Sequence, residues 1–183
     1  MKKFLAGLAV AVLGIAGTVA VASPAAARPA APAPNIVSTA IAVNADGPFA
    51  GQFDTLLTAA SCESLGGAVV GALSVRGQRT LFAPTDDAFA NLGLTPANVC
   101  AALPADLLAD VLSYHVANGA RDAASVVDAS RIRMLNGDFV TQANATLTDG
   151  LGRQSNIIVT DVFAGNGVIH AIDSVLLPPG FGN

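Results

Sequence analysis

At 183 residues the chain has room for one domain. Charged residues make up 12% and hydrophobic ones 52%, which excludes a charge-solvated disordered chain. A formal net charge of −4 argues against nucleic-acid binding, and two cysteines with two histidines cannot build a zinc-finger or iron–sulfur framework.

Residues 1–27 read as a secretory signal peptide. Lys2 and Lys3 form a short basic start, Phe4 to Ala22 is apolar apart from one Thr, and Ala25-Ala26-Ala27 supplies the small residues that signal peptidase requires. Cleavage is expected after Ala27, with Ala22 the alternative. The rival reading is a retained membrane anchor, since the apolar stretch approaches the length of a bilayer span. Its Ala/Gly richness, Pro24 and the lack of a following basic cluster disfavour that reading. Without residues 1–27 both lysines are gone, and seven arginines against thirteen acids leave a net charge of −6. Such a chain should not adhere to anionic lipid or DNA.

Residues 28–34 form a Pro/Ala-rich linker, and a domain is expected over residues 35–178 with a short tail at 179–183. Asn35 caps a first helix running through Val43, with Ile36, Ala40 and Val43 on one face. Phe53, Leu56, Leu57 and Ala60 mark a second helix, and Ala68 to Leu73 a third after Gly66-Gly67. Arg79 to Ala83 reads as a short buried strand. Thr85 then caps another helix, whose Asp86 and Asp87 suit the positive end of its dipole. Thr95-Pro96 predicts a further helix start, and Pro104 to Ser113 carries the stripe Leu107, Leu108, Val111, Leu112.

The second half changes to period two. Arg131–Leu135 and Asp138–Gln142 flank Asn136-Gly137, which predicts a hairpin with a type I′ turn. Thr146–Thr148 is a short strand. Asn156–Phe163 and Gly167–Leu177 are longer strands joined at Gly165-Asn166-Gly167. Helices followed by an antiparallel sheet give the class α+β.

Thr80-Leu-Phe-Ala-Pro-Thr-Asp-Asp-Ala-Phe89, Tyr114-His115, Gly167-Val-Ile-His-Ala-Ile-Asp-Ser-Val-Leu-Leu-Pro178 and the opening Asn35-Ile-Val-Ser-Thr-Ala40 occur in this order. Together they resemble the fasciclin, or FAS1, domain, as a single-domain secreted bacterial member. The resemblance implies a wedge of about seven mostly antiparallel strands flanked by helices. It also implies extracellular or surface adhesion through proteins, matrix or glycans. With one copy and no obvious anchor, bridging adhesion by two arms is not expected. The motif residues Thr80, Phe82, Pro84, Thr85, Phe89, His170 and Asp173 are expected to be structural. In animal relatives an Asp-aliphatic pair implicated in integrin binding lies where Asp161-Val162 lies here. Those two residues, with Tyr114-His115, are the candidate binding residues, set against a packing role for each.

The two histidines invite a catalytic or metal reading. Both lie among apolar neighbours, where a neutral imidazole satisfies buried backbone groups. A hydrogen bond from His115 to the Thr85 turn is a plausible form of that role. No Gly-x-Ser-x-Gly elbow occurs, and strand alternation sends His170 and Ser174 away from Asp173, so these three form no triad. No catalytic residue, metal or cofactor is expected. Asn144-Ala-Thr146 is a formal glycosylation sequon, discounted because the signal looks bacterial. Cys62 and Cys100 lie in an exported chain, where two cysteines usually pair, so a disulfide is expected, two buried thiols being the alternative.

The expected function is a secreted, non-catalytic binding module for cell-surface or extracellular-matrix adhesion. The alternative is a periplasmic small-ligand or glycan-binding protein. Expected partners are a protein or glycan of the surface or matrix, with no nucleic acid. After processing the chain is not expected to be an integral membrane protein.

Overall fold

The computed structural model describes residues 33–75 and 77–182. The expected signal peptide and most of the expected linker lie outside these residues. The first helix, Ile36–Ala45 (α1), starts where Asn35 accepts the backbone N–H of Ser38 at 2.9 Å, so the predicted cap is in place. Helix Asp54–Ala60 (α2) lacks a cap of its own. Its first two N–H groups bond to the carboxylate of Asp86, at 3.2 and 2.8 Å. Asp86 therefore serves a neighbouring helix as well as opening Asp86–Ala90 (α4). In α4, Thr85 accepts the N–H of Ala88 at 3.4 Å. Along α2 the buried residues are Thr55, Leu56 and Ala59, whereas the predicted Leu57 and Ala60 are half-buried.

Helix Ala68–Ser74 (α3) follows Gly66 and Gly67, whose φ of +55° and +75° demand glycine. Thr95-Pro96 opens only a turn. Helix Val99–Ala102 (α5) begins three residues later, after the side chain of Asn98 has folded back to accept the N–H of Thr95. The long helix is Ala105–Ser113 (α6), and Ala123–Asp128 (α7) follows the second strand. Cys62 and Cys100 form the expected disulfide, with Cα atoms 5.6 Å apart, tying the end of α2 to α5.

The strands are Arg79–Pro84 (β1), Val116–Asn118 (β2), Arg131–Arg133 (β3), Phe139–Ala143 (β4), Thr146–Thr148 (β5), Gln154–Ala164 (β6) and Gly167–Ile172 (β7). They form one sheet in the order β2-β1-β7-β6-β5-β4-β3. Only β1 and β7 run parallel, and a bridge between Ala117 and Met134 draws the two ends together into a near-barrel. The α+β class and the mostly antiparallel seven-stranded sheet agree with the sequence reading.

This curvature makes two cores. Leu81 and Ala83 of β1 face the helices, with Ile36, Leu56, Leu73 and Phe89 among the residues packed there. Phe82 points the other way, into a second cluster with Tyr114, Ile132, Met134, Val140 and Leu147. Alternation thus buries both faces of β1. Each large side chain so buried contributes about 1.5–3 kcal/mol of transfer free energy. At Gly167, the partner of Arg79, an added Cβ would overlap the Arg79 carbonyl, so only glycine lets β1 and β7 approach there. Residue 181 of the expected tail, Phe181, packs against the helical core.

Two turns differ from expectation. The Asn136-Gly137 hairpin is not type I′, which needs φ above zero at both residues. Gly137 has φ +104°, but Asn136 is not left-handed. The cause is Leu135, whose N–H bonds across to the carbonyl of Val116, so the ladder opens early and Met134 closes the loop on Asp138. A two-residue turn with both residues left-handed occurs instead at Asn144 and Ala145, φ +54° and +62°, between β4 and β5. The closing strand β7 ends at Ile172, short of the expected Leu177.

Candidate functional site

Tyr114 follows the last turn of α6, and its ring is buried in the second core. Its hydroxyl donates to the carbonyl of Phe139 at 2.8 Å. Burial, reinforced by the charge of Asp149, pushes the phenol up to about 12. His115 is buried beside it in sequence. Its Nδ1–H donates to the carbonyl of Val111 at 2.7 Å, and its Nε2 accepts the N–H of Leu176 at 2.9 Å. Burial lowers this imidazole to about 4, so it is neutral at physiological pH. Its ring bonds run to α6 and to the segment after β7. The contact expected with the Thr85 turn is not made, for the N–H of Thr85 bonds to the carbonyl of Ile172. In the folded chain neither Tyr114 nor His115 offers its side chain to a partner.

His170 is the second buried imidazole, stacked on Phe82 with ring centroids 5.7 Å apart. Its Nδ1 accepts the N–H of Asp161 at 3.2 Å, so its Nε2 carries the proton and donates to the carbonyl of Arg121 at 2.8 Å. Arg121 in turn donates its own N–H to Thr80 Oγ1 at 2.8 Å, and that hydroxyl donates to Gly119 at 2.7 Å. The motif residues Thr80, Phe82 and His170 therefore bind the 119–123 loop to the sheet.

Asp161 sits in a β-bulge. Val159 pairs with Ala171 and Val162 with Ile169, so Thr160 and Asp161 together face His170 alone. The backbone of Asp161 is left-handed, φ +61°. Its carboxylate accepts the N–H of Ala123 at 2.8 Å, at the start of α7. Next to it, Asp122 caps α7, and hydrogen bonds from the Ser125 side chain and backbone hold its carboxyl below the usual range. Val162 is half-buried against the helical core. The structure thus joins Asp161 to His170 and leaves Tyr114 and His115 in separate bonds. The apolar groups that β6 does expose are Ile158, at 50%, and Phe163, at 68%.

Of the remaining motif residues, Pro84 closes β1 opposite Ile172 and Phe89 is buried in the helical core. Asp173 accepts the backbone and side-chain N–H groups of Asn156, both at 2.8 Å. Partial burial would raise its carboxyl, but these bonds and those from Ser174 and Ser155 prevail and lower it. Asp173 and His170 therefore serve different partners, and both His170 ring nitrogens are occupied, so the arrangement holds no base poised on Ser174. Among the described residues, no three His, Cys, Asp or Glu side chains come together as a metal site, and no helix is long and apolar enough to cross a membrane.

One buried residue escaped the sequence reading. Asp149 accepts the N–H groups of Leu151, Arg153 and Leu177 and pairs with Arg153 Nε at 3.1 Å. The Arg153 side chain also donates to the carbonyl of Val175. The available signal was Asp149-Gly150 with an arginine four residues on. An apolar groove between α1, α2 and α3, lined by Val37, Ile41, Leu57 and Val70, holds only about 90 Å³. A wide, shallow depression of about 620 Å³ lies beside the disulfide.

Comparison with known proteins bears on the same segments. The family model described as Fasciclin domain matches residues 51–178. Protein sll1483 of Synechocystis sp. is 40% identical over 133 residues, 69% of this chain and 68% of that protein. Immunogenic protein MPB70 of Mycobacterium bovis is 35% identical over 105 residues, 56% of this chain and 51% of that one. Among solved structures, a FAS1 domain pair from the insect cell adhesion molecule fasciclin I superposes with a TM-score of 0.52. The match covers 67% of this chain and 45% of that one at 20% identity, which shows a shared fold.

Proposed function

The chain belongs to the Fasciclin domain family, and we propose that it works as a non-catalytic binding module of the cell surface or extracellular matrix. The supporting observation is the exposure of Phe163 and Ile158 on β6, on either side of the bulge that the His170–Asp161 bond locks in place. Exposed aromatic and aliphatic side chains on a rigid strand are anchors suited to a protein partner. The small-ligand alternative is less well supported: the enclosed apolar groove of about 90 Å³ falls well below the ~300–1,000 Å³ of ordinary ligand pockets, and the larger depression of about 620 Å³ beside the disulfide is shallow and open to solvent. The export signal expected at residues 1–27 would carry the domain out of the cytoplasm, in accord with this reading. The relevant test is binding of the secreted protein to intact cells and to cell-envelope fractions of its host. An Ile158→Thr/Phe163→Ser variant should keep its melting temperature and lose most of that binding. Undiminished binding by the folded variant would refute the role given to this strand.

A further inference from the structure

The outer face of the strands β3 to β6 forms a second exposed surface of different chemistry. Alternation sends Ile132, Val140, Leu147 and Ser155 inward, where all four are buried. The opposite face is open. The register Arg131–Thr141–Thr148–Gln154 lays one row of side chains straight across the four strands. At about 4.8 Å per strand, that row is a flat strip roughly 15 Å long. Its centre is uncharged and rich in hydroxyl and amide groups, and its cations lie at one end.

Those cations are Arg131 and Arg133. Both are exposed, and two residues apart on one strand they stand about 6.7 Å from each other on the same face. The guanidinium of Arg131 lies 3.5 Å over the ring of Phe139, the cross-strand partner of Arg133. Stacking holds a guanidinium in place and leaves its N–H edges free to donate. Neither arginine has a carboxylate partner among the described residues, where the one ion pair is Arg153–Asp149. Asp138, next to Phe139 in sequence, accepts from the side chain of Asn136 instead. In a chain of net charge −4, this is a local positive site without its counter-ion.

We propose that this face binds an acidic polysaccharide, with Arg131 and Arg133 taking its carboxylate or sulfate groups and the Thr141–Thr148–Gln154 row its hydroxyls. The proposal rests on the reading of the chain as an extracellular binding module and names a ligand class for it. Charge complementarity selects an anion, and the hydroxyl-binding strip selects a sugar polymer. Two cations add only about 1 kcal/mol each toward an anionic membrane, and the acidic remainder of the chain opposes both membrane and nucleic acid.

The test uses the secreted protein with polygalacturonate and dextran sulfate, with neutral dextran of matched length, with phosphatidylglycerol vesicles and with duplex DNA, at low and physiological salt. Binding to the two acidic polysaccharides, weakened by salt, is expected, with none to neutral dextran. Arg131→Gln/Arg133→Gln should weaken it by at least about tenfold at an unchanged melting temperature, the loss of two charge-assisted contacts. Equal affinity of variant and wild type, equal or tighter binding to vesicles or DNA, or no binding to either acidic polymer overturns the proposal. A wild type that binds cells through β6 but neither polymer refutes this site and keeps the adhesion reading. Arginine-dependent binding to the polymers without any binding to cells does the reverse.

Discussion

The ring of His115 joins segments 61 residues apart, accepting the N–H of Leu176 at 2.9 Å while donating to Val111 at 2.7 Å. Both bonds need a neutral ring protonated on Nδ1, since a second proton would set one donor against another. The folded pKa, lowered by burial to about 4, lies below the unfolded value near 6.5. Between those values the unfolded chain binds more protons, so stability from this group is complete above pH 6.5 and declines as pH falls toward 4. The decline should total roughly 3 kcal/mol. Urea midpoints from neutral to acid pH should show it. His115→Leu should cost about 2–3 kcal/mol at neutral pH and flatten the curve, because it leaves the Leu176 N–H unsatisfied. Parallel curves for variant and wild type would contradict the assignment.

Asp161 carries a left-handed backbone, φ +61°, and a carboxylate bonded to Ala123. The two features separate by substitution. Asp161→Asn keeps an acceptor and tolerates this φ, so it should cost under about 1 kcal/mol. Asp161→Gly relieves the backbone and loses the bond. Asp161→Val loses the bond and adds β-branched strain, and should cost about 2–3 kcal/mol. The predicted order of urea midpoints is Asn, then Gly, then Val. Val equal to Asn would contradict it.

Local chemistry in this chain was legible, and remote partners, the Cys62–Cys100 pair apart, were not. Asn35 and Thr85 cap helices through bonds that span three residues, and sequence spacing reveals such bonds directly. The short run Arg79–Ala83 likewise read as a buried strand, and the period-two pattern of Arg131–Gln142 as a hairpin. Asp86 was read correctly as a helix-start residue, but its bonds to α2 reach back 31 and 32 residues. Asn136-Gly137 failed as a type I′ signal because the Val116 carbonyl, remote in sequence, takes the N–H of Leu135. Asn144-Ala145 passed unnoticed because alanine is a poor left-handed residue and no propensity marks it. The Asp161 bulge depends on His170 across the ladder, and no period-two pattern encodes an extra residue. The exposed Arg131–Phe139 stack was hidden for the same reason, as a cross-strand contact fixed only by register.

Cys62 and Cys100 close a loop with a sequence separation of 38 between α2 and α5. Cross-linking a loop of that size should stabilise the fold by roughly 3–4 kcal/mol through the entropy of the unfolded chain. Cys62→Ser/Cys100→Ser should lower the urea midpoint accordingly, and reductant should bring the wild type to about the same value. A reduced protein as stable as the oxidised one would show that the bond adds nothing.

Tyr114 is the single tyrosine of a chain without tryptophan, so near-ultraviolet absorbance follows its ionisation alone. Burial, aided by the charge of Asp149, raises the folded pKa to about 12, whereas the unfolded phenol ionises near 10. Above pH 10 the unfolded chain gives up this proton first, so stability falls as pH rises. Phenolate absorbance should appear near pH 10 in concentrated urea and about two units higher in the native protein, together with loss of secondary structure. Tyr114→Phe removes the donor to the Phe139 carbonyl and should cost about 1–2 kcal/mol without changing the fold. If the native protein instead titrates near pH 10 with its circular dichroism intact, the ring is open to solvent, and Tyr114 returns as a candidate contact for a partner.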